Sequence, residues 1–448
     1  MTTPASRSIL TIGAGIAGVT TALEAADAGH DVVLIEREPS IGGRVLRNHN
    51  YFPKLCPPLC GMEINVGRIE RNPRIRLMTE TEVIAANRKA IRSGGGESIT
   101  KCCQCGTCTA VCDLTTAEIA SPRRQVQLAR WGLMDELAAD PAIWLCHQCN
   151  DCTSRCPKNA RPGDVLQAVR AKVIERLAVP AVLGRLVAKA NVTWPVLLSV
   201  PILFFVASLA ITGHLAVPRA PFPHGDFAYE LFVPHSLIYA VFFPTAGLVA
   251  AALWRSGWRF WTGLDGAGSR QGSFLASLWP VLVEIGTHRR FGDCGTAHNR
   301  KTGHLALVWG FIGAAVTSGL LIVEIYGMGE IMPLPLEHPF KLLGNLSAIF
   351  LVVDGIMLVR NRLAKESESG ASTAFDSFFL SIVALVIFSG VFVEAGRFFL
   401  PTALNCALYV VHLGAVLCLF LTTPYSKSAH LLYRTLAMVH ERMAFAPS

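Results

Sequence analysis

The 448-residue sequence is short of charge and of aromatic rings: Asp, Glu, Lys and Arg make up 16% and Phe, Trp and Tyr 8%, against 52% hydrophobic residues. So little charge on so apolar a chain excludes an ordinary soluble globule and implies a membrane part, within a length that suits about three domains. A secretory leader is also missing. Met1 to Ser8 lack its charged and then apolar layout, and the first apolar run, Ile9 to Ile12, has only strand length, so the N-terminal half is expected in the cytoplasm. Cysteine is scarce after residue 160, where three of the fourteen fall. The net charge of +8 is read as membrane topology, not as a nucleic-acid surface.

The other eleven cysteines include two copies of one pattern, Cys102, Cys105, Cys108 and Cys112, then Cys146, Cys149, Cys152 and Cys156, the last followed by Pro157. Each reads C-x2-C-x2-C-x3-C, the spacing by which thiolates wrap a [4Fe-4S] cube. A single run would also suit zinc, but two full runs argue for clusters in a reducing compartment. In two-cluster ferredoxins the fourth Cys of each run crosses to the other cube. The expected sets are therefore Cys102, Cys105 and Cys108 with Cys156, and Cys146, Cys149 and Cys152 with Cys112. Asp113 stands where the ferredoxin pattern usually has Pro, and Cys103 is spare.

Upstream, Gly13, Gly15 and Gly18 form G-x-G-x-x-G between a strand and a helical stretch, and a second strand ends at Glu36. The glycines suit close approach of backbone N–H groups to a pyrophosphate, and the acid suits a ribose hydroxyl. Gly42, Gly43 and Arg44 follow, a doublet seen in many FAD-binding oxidoreductases. A βαβ unit that only packs is the alternative. Cys56 and Cys60 bracket two prolines and could ligate metal, form a redox pair, or be two small apolar residues in a bend. The glycine fingerprint, Gly-Gly-Arg and Cys-Pro-Pro segment resemble the start of the A subunit of heterodisulfide reductase and of its relative in the quinone-interacting membrane-bound oxidoreductase (Qmo) complex. The resemblance covers residues 7 to about 83, too short for a full flavin fold, so FAD bound in part, shared with a partner, or absent all stay open.

Gly94, Gly95 and Gly96 mark a linker. The segments WGLMDELAADPAIWLCHQCNDC and CPKNARPGDVLQAVR resemble the C subunit of heterodisulfide reductase and the ferredoxin part of the Qmo C subunit. Windows long enough to span a bilayer follow at 194–216, 231–254, 304–326, 340–360, 375–396 and 402–424. Arg255, Arg259, Arg289, Arg300 and Lys301 lie on one side of these helices with Arg360, Lys427 and Arg434, which places both termini in the cytoplasm. Phe274 to Ile285 has a helical apolar pattern and is expected either along the membrane surface or as a packed connection.

Histidine suggests what the helices carry, since imidazole is a common axial ligand of haem iron. Two b haems are expected, an outer one between His235 and His412 and an inner one between His304 and His430. His412 and His430 would be about 27 Å apart on one face if the sixth helix runs on, with Pro424 as a possible kink. His214, His224, His288 and His298 are expected on surfaces or loops, with His298 able to replace His304, and Asp354 could serve quinone protonation or hydrogen-bond a neighbouring helix. This half resembles the membrane part of the Qmo C subunit, the E subunit of heterodisulfide reductase and the gamma subunit of respiratory nitrate reductase.

The expected protein is multidomain: a partial Rossmann-like βαβ unit over 1–83, a linker over 84–100, an α-helical dicluster ferredoxin domain over 101–177, a connector over 178–192, and a six-helix transmembrane cytochrome b-type bundle over 193–448. The resemblance implies an oxidoreductase subunit in the inner membrane that moves electrons between quinone and cytoplasmic flavoprotein subunits, with adenylylsulfate reductase of sulfur metabolism as a further partner. The rivals are a flavin-linked thiol-disulfide enzyme using Cys56 and Cys60, and a ferredoxin anchor with a vestigial N-terminal module.

Overall fold

The computed structural model describes residues 8–47, 59–81, 91–116, 119–216, 229–264, 272–289, 298–329, 334–363 and 373–445. The chain divides into two compact units, residues 1–86 and 87–448.

The first unit is a small parallel sheet. Strands β1 (Ile9–Ile12), β2 (Val32–Ile35) and β3 (Ile75–Met78) lie in that order, with Ile9 opposite Val32 and Val32 opposite Ile75. Helix α1 (Ile16–Asp27) connects β1 to β2, and α2 (Leu59–Arg71) precedes β3. Val19, Ala22, Leu23 and Ala26, at helical spacing, bury one face of α1 beside Leu34 and Met62. Leu10 and Ile12 are 54% and 62% exposed. Parallel sheets normally have both faces covered, and among the described residues the face carrying Leu10 and Ile12 is left open.

In the second unit, Arg92–Gly96 and Glu97–Lys101 form helical turns and lead to short helices α3 (Thr107–Ala110), α4 (Arg123–Trp131), α5 (Met134–Ala138), α6 (Ala142–Leu145) and α7 (Asp151–Ser154). A longer helix, α8 (Pro162–Leu177), closes the group. The expected linker is thus partly core. Residues 82–90 lie outside the described residues, but Ile91 and Ile99 are fully buried in one core with Val165 and Val169 of α8. The glycine triplet obscured two core anchors on either side of it.

The expected connector is largely helical: α9 (Ala181–Ala188) runs almost directly into α10 (Ala190–Ile211). Helices α11 (His235–Gly263), α12 (Phe274–Thr287), α13 (His298–Val323), α14 (Pro339–Leu363), α15 (Ala374–Gly396), α16 (Thr402–Thr422) and α17 (His430–Phe445) follow. Six of them, α10, α11, α13, α14, α15 and α16, are long and apolar enough to cross a membrane, each at the place expected from its apolar window. A Cβ on Gly310 of α13 would lie 2.7 Å from Leu351, and one on Gly313 would lie 2.2 Å from Ser347 of α14. Small residues let these two helices approach closely. Helix α12 packs on α17, where Arg442 donates to Glu284 at 3.0 Å.

The helix of His412 does not run on to His430. It ends at Thr422, and turns at Thr423–Tyr425 and Lys427–Ala429 precede α17. Pro424 lacks the N–H that a continuing helix needs, so the chain changes direction there.

Candidate redox sites

Both cysteine runs repeat one backbone path. The third residue of each run is left-handed, Gln104 at φ 60° and Gln148 at φ 55°, and so is the fifth, Gly106 at φ 86° and Asn150 at φ 68°. These turns bend the loop back on itself, and short helices α3 and α7 follow and pack together. Cys112 of the first run lines one pocket with Cys146, Cys149 and Cys152 of the second. Cys108 lies close enough to Cys102 and Cys105 to feel their charge. The Cys156 sulfur accepts from Ala160 N–H at 3.3 Å, and Cys146 and Cys102 accept from Gln148 N–H at 3.4 Å and from the Gln104 amide at 3.3 Å.

Burial, with the charges of Cys146 and Cys149 behind it, pushes the Cys112 thiol up to about 11. The same causes push Cys152 higher. Four thiolates crowded in so dry a pocket need cations to offset them, and a coordinating metal deprotonates its thiol outright. The donor set therefore fits an iron–sulfur cube. Among the described residues no group of three or more His, Cys, Asp or Glu is spaced for a single metal ion. Cys103 and Cys105 are exposed, and the Thr107 hydroxyl near Cys105 holds its thiol below the usual range. Cys56 and the Cys60 side chain lie outside the described residues.

The second run is seated on the membrane helices. Trp144, fully enclosed, packs against Tyr433 of α17 at 4.8 Å with the rings tilted by 31° and meets the edge of Phe260 of α11 at 6.2 Å. Tyr425 O–H donates to the carbonyl of Val179 at 2.8 Å.

Histidines from three elements meet beneath this seat. The ring centres of His304 and His430 are 6.2 Å apart at 79°. His288 Nε2 lies 2.7 Å from His304 Nδ1, and His430 Nδ1 lies 2.6 Å from the carbonyl oxygen of Lys427. Burial and the neighbouring His304 lower His430 to about 3, so its ring is neutral. Two imidazoles on one metal, with bonds of about 2 Å, place their ring centres about 6 Å apart. Metal-bound histidines usually engage their other nitrogen with a carbonyl or similar acceptor. The residues present therefore fit a bis-imidazole haem at His304 and His430. His288 lies in a turn after α12, as a loop residue would, but it is 7% exposed and so not on the surface. A left-handed backbone at φ 52°, directly after α12, turns its ring inward. His298 has no described side chain, and His224 lies outside the described residues.

The expected outer pair is not brought together. His412 Nδ1 is 2.9 Å from Ser389 Oγ, with Gly390 leaving room for the ring, while His235 Nδ1 is 3.6 Å from Glu230. His235 is the first residue of α11, whereas His412 lies ten residues, about 15 Å of helix, beyond the start of α16. No hydrogen bond or ring contact joins them among the described residues. Asp354 is buried, with Oδ1 3.3 Å from where a Cβ on Gly303, the residue before His304 in the chain, would sit.

In the first unit, the turn Gly13–Gly15 leads into α1, whose first N–H groups have no side-chain cap. A Cβ at Gly18 would lie 1.8 Å from the Gly13 carbonyl oxygen, while none at Gly13 or Gly15 would meet any atom. The open side of this turn fits a diphosphate. Gly42 N–H donates to the Ala14 carbonyl at 2.7 Å, which seats Gly42, Gly43 and Arg44 against it. Glu36 accepts from Ala14 N–H at 2.6 Å and Glu38 N–H at 3.1 Å. Burial would raise its carboxyl, but these backbone donors outweigh it and hold it below the usual range. A carboxylate offers about four acceptor positions, so it retains capacity for a ribose hydroxyl.

Comparison with known proteins matches three stretches of the chain, two of which overlap. Residues 195–446 match the family described as citrate utilization protein B, 98–160 the 4Fe-4S dicluster domain, and 8–110 the FAD dependent oxidoreductases. Citrate utilization protein B of Escherichia coli is 28% identical over 312 residues, covering 66% of this chain and 80% of that protein. The C subunit of the H(2):CoB-CoM heterodisulfide,ferredoxin reductase of Methanothermobacter thermautotrophicus is 39% identical over 80 residues, 18% of this chain and 43% of that one. A protein of Archaeoglobus profundus described as like the A subunit of heterodisulfide reductase is 34% identical over 119 residues, 24% of this chain and 16% of that one. The chain thus spans less than half of either heterodisulfide reductase relative. The sequence reading of a dicluster, heterodisulfide reductase C- and A-like oxidoreductase holds.

Proposed function

The chain belongs to the citrate utilization protein B family, and from that premise we propose that it is a membrane electron-transfer subunit linking the quinone pool to a redox partner on the side of its iron–sulfur domain. The observation that carries this reading is the seat of the second cysteine run on the helix that begins with His430, through Trp144 and Tyr433. It would set a dicluster domain next to the His304–His430 pair, where α17 meets six helices apt to span a membrane.

In this reading Cys102, Cys105, Cys108 and Cys156 hold one cube, Cys146, Cys149, Cys152 and Cys112 the other, and His304 and His430 a b haem. His412 offers one imidazole at a second depth, without His235. Cubes and haems each pass single electrons, whereas a quinol yields two electrons and two protons, so bound together they would split the pair. The protein's own part is to hold the rings and thiolates in place, exclude water, and accept protons. Asp354, buried opposite Gly303 of α13, would be the acid to take one. Gly13, Gly15, Gly18, Glu36, Gly42, Gly43 and Arg44 would hold the adenine-side half of FAD. Both termini and the iron–sulfur domain face the cytoplasm, as the Lys and Arg bias of the loops favours.

The 80% coverage of a relative named for citrate utilization favours a flavoprotein partner that serves such a pathway. Adenylylsulfate reductase and the Qmo complex are the second reading, supported by the heterodisulfide reductase matches. The test is a quinol-driven redox spectrum of the purified full chain, recorded without oxygen. Reduction of a b-type haem together with cluster signals is expected, and the proposal fails if neither is found.

A further inference from the structure

Two independent connections run from the Cys146 loop to the start of α17. The first is Arg434, one helical turn beyond His430. It donates from Nη1 to the carbonyls of Trp144 at 3.2 Å and Cys146 at 3.4 Å, and its Nη2 lies 2.8 Å from His147 Nδ1. The second is a chain of side chains. Gln148, whose N–H meets the Cys146 sulfur, donates through its amide to Gln167, and Gln167 donates to Asp376 Oδ2. Lys427 Nζ donates to Asp376 Oδ1 at 2.8 Å, and the Lys427 carbonyl oxygen is the partner of His430 Nδ1. Asp376 is buried, and Thr373 also donates to it. The sulfur of Cys146 and the imidazole of His430 are thereby joined without a gap.

The Cys102 loop has one matching feature. Arg130 donates to the Cys102 carbonyl at 2.9 Å, so each run has a guanidinium on the carbonyl of its first cysteine, and the Cys146 carbonyl accepts from a second one, Arg170 of α8, at 2.5 Å. Only the Cys146 loop is also tied to the helix of His430.

We propose that Arg434 and the Asp376–Lys427 pair are positioning residues that lock the Cys146 loop to His430, making the cube of Cys112, Cys146, Cys149 and Cys152 the one next to the membrane haem. The cube of Cys102, Cys105, Cys108 and Cys156, which includes exposed Cys105, faces the outside partner. This rests on the reading that both cubes and the His304–His430 haem are bound. A reduced cube carries one more negative charge than an oxidised one, so a guanidinium at its loop stabilises the reduced form and raises its potential. The fixed Lys427 carbonyl sets the plane of the His430 ring, which the haem iron would report.

The test is a redox titration of the full chain in detergent, followed by electron paramagnetic resonance. The nearer cube is identified as the signal that Cys112→Ser abolishes. Arg434→Gln should lower the midpoint of that signal and shift the low-spin haem g-values, leaving the other cube unmoved. Arg130→Gln should lower only the other cube, and Arg434→Lys should restore most of the first effect. Should Arg434→Gln not accumulate, the double change Asp376→Asn with Lys427→Gln removes the pair without changing net charge and should still shift the haem g-values. Unchanged haem and cube signals in whichever variant accumulates, or equal shifts in both cubes with Arg434→Gln, would overturn the proposal while leaving the electron-transfer reading intact. A wild-type chain without haem or without two cube signals would instead defeat that underlying reading.

Discussion

His288 Nε2 stands 2.7 Å from His304 Nδ1, so a residue outside the six spanning helices orients a ring inside one of them. This contact fixes which nitrogen of His304 can turn to a metal, the role that supporting hydrogen bonds play around metal ligands. Replacing His288 with Ala should therefore weaken haem retention about 10- to 100-fold without abolishing it. Glutamine at the same place should recover part of the loss. His304→Ala or His430→Ala should remove that haem altogether. Haem-to-protein ratio after challenge with a haem scavenger distinguishes these cases, and equal retention in wild type and His288→Ala would reject the role given to His288.

The cysteines make a sharper test because one of them should not matter. Cys112→Ser removes a thiolate from the pocket it shares with Cys146, Cys149 and Cys152. Iron content should fall by about four atoms of about eight per chain. Cys103→Ser changes an exposed thiol and should leave iron content unchanged. If Cys112→Ser instead disturbed the signal that depends on Cys105, the crossed arrangement would be wrong.

Sequence made the six spanning helices legible because each needs about twenty apolar residues, a signal strong enough to survive without any partner. The cysteine runs were legible for a similar reason, since ligand spacing is local. Pairings between distant elements were harder. His304 and His430 meet where the chain breaks at Pro424 and starts a new helix at His430, so the continuous helix expected to carry His412 and His430 on one face is absent. His235 and His412 fail to meet because helix starts set depth, and apolar windows locate those starts only to within a few residues. His288 was hidden by its setting, a short basic stretch whose left-handed turn cannot be read from composition. Ile91 and Ile99 were hidden by the glycines between them.

Gly18 carries a prediction that depends on backbone alone. An ideal Cβ there would stand 1.8 Å from the Gly13 carbonyl oxygen, and no side-chain movement can relieve a clash with backbone. Gly18→Ala should destabilise the first unit by at least ~2 kcal/mol and abolish any flavin that it retains. Gly15→Ala, where a Cβ meets nothing, should leave the fold intact and lower flavin occupancy only, because the methyl would stand where the diphosphate approaches. Hydrogen exchange across β1 and α1, read beside flavin content, separates the two effects. Loss of protection in both variants would place Gly15 in the fold and not in the site.

Glu36 predicts a dependence on acid. Its carboxyl is held below the value of 4.5 that it would have in an open chain: burial acts to raise it, and the N–H groups of Glu38, Ala14 and Arg37 more than reverse that. A carboxylate with a depressed folded value stabilises the fold fully above its unfolded value, and that contribution fades as pH falls through the folded one. The Ala14–Glu36 bond at 2.6 Å ties the glycine turn to the end of β2, so protonation should loosen β1, the turn and the start of α1 together. In hydrogen exchange of the full chain, corrected for intrinsic rates, protection of residues 9–36 should decline as pH drops below about 4.5. Glu36→Gln should begin less protected, by about 1.5–3 kcal/mol for a lost charge-assisted bond, and should show little of this decline. A variant that declines in parallel with wild type would move the acid-sensitive group elsewhere, since no proton could then be assigned to Glu36.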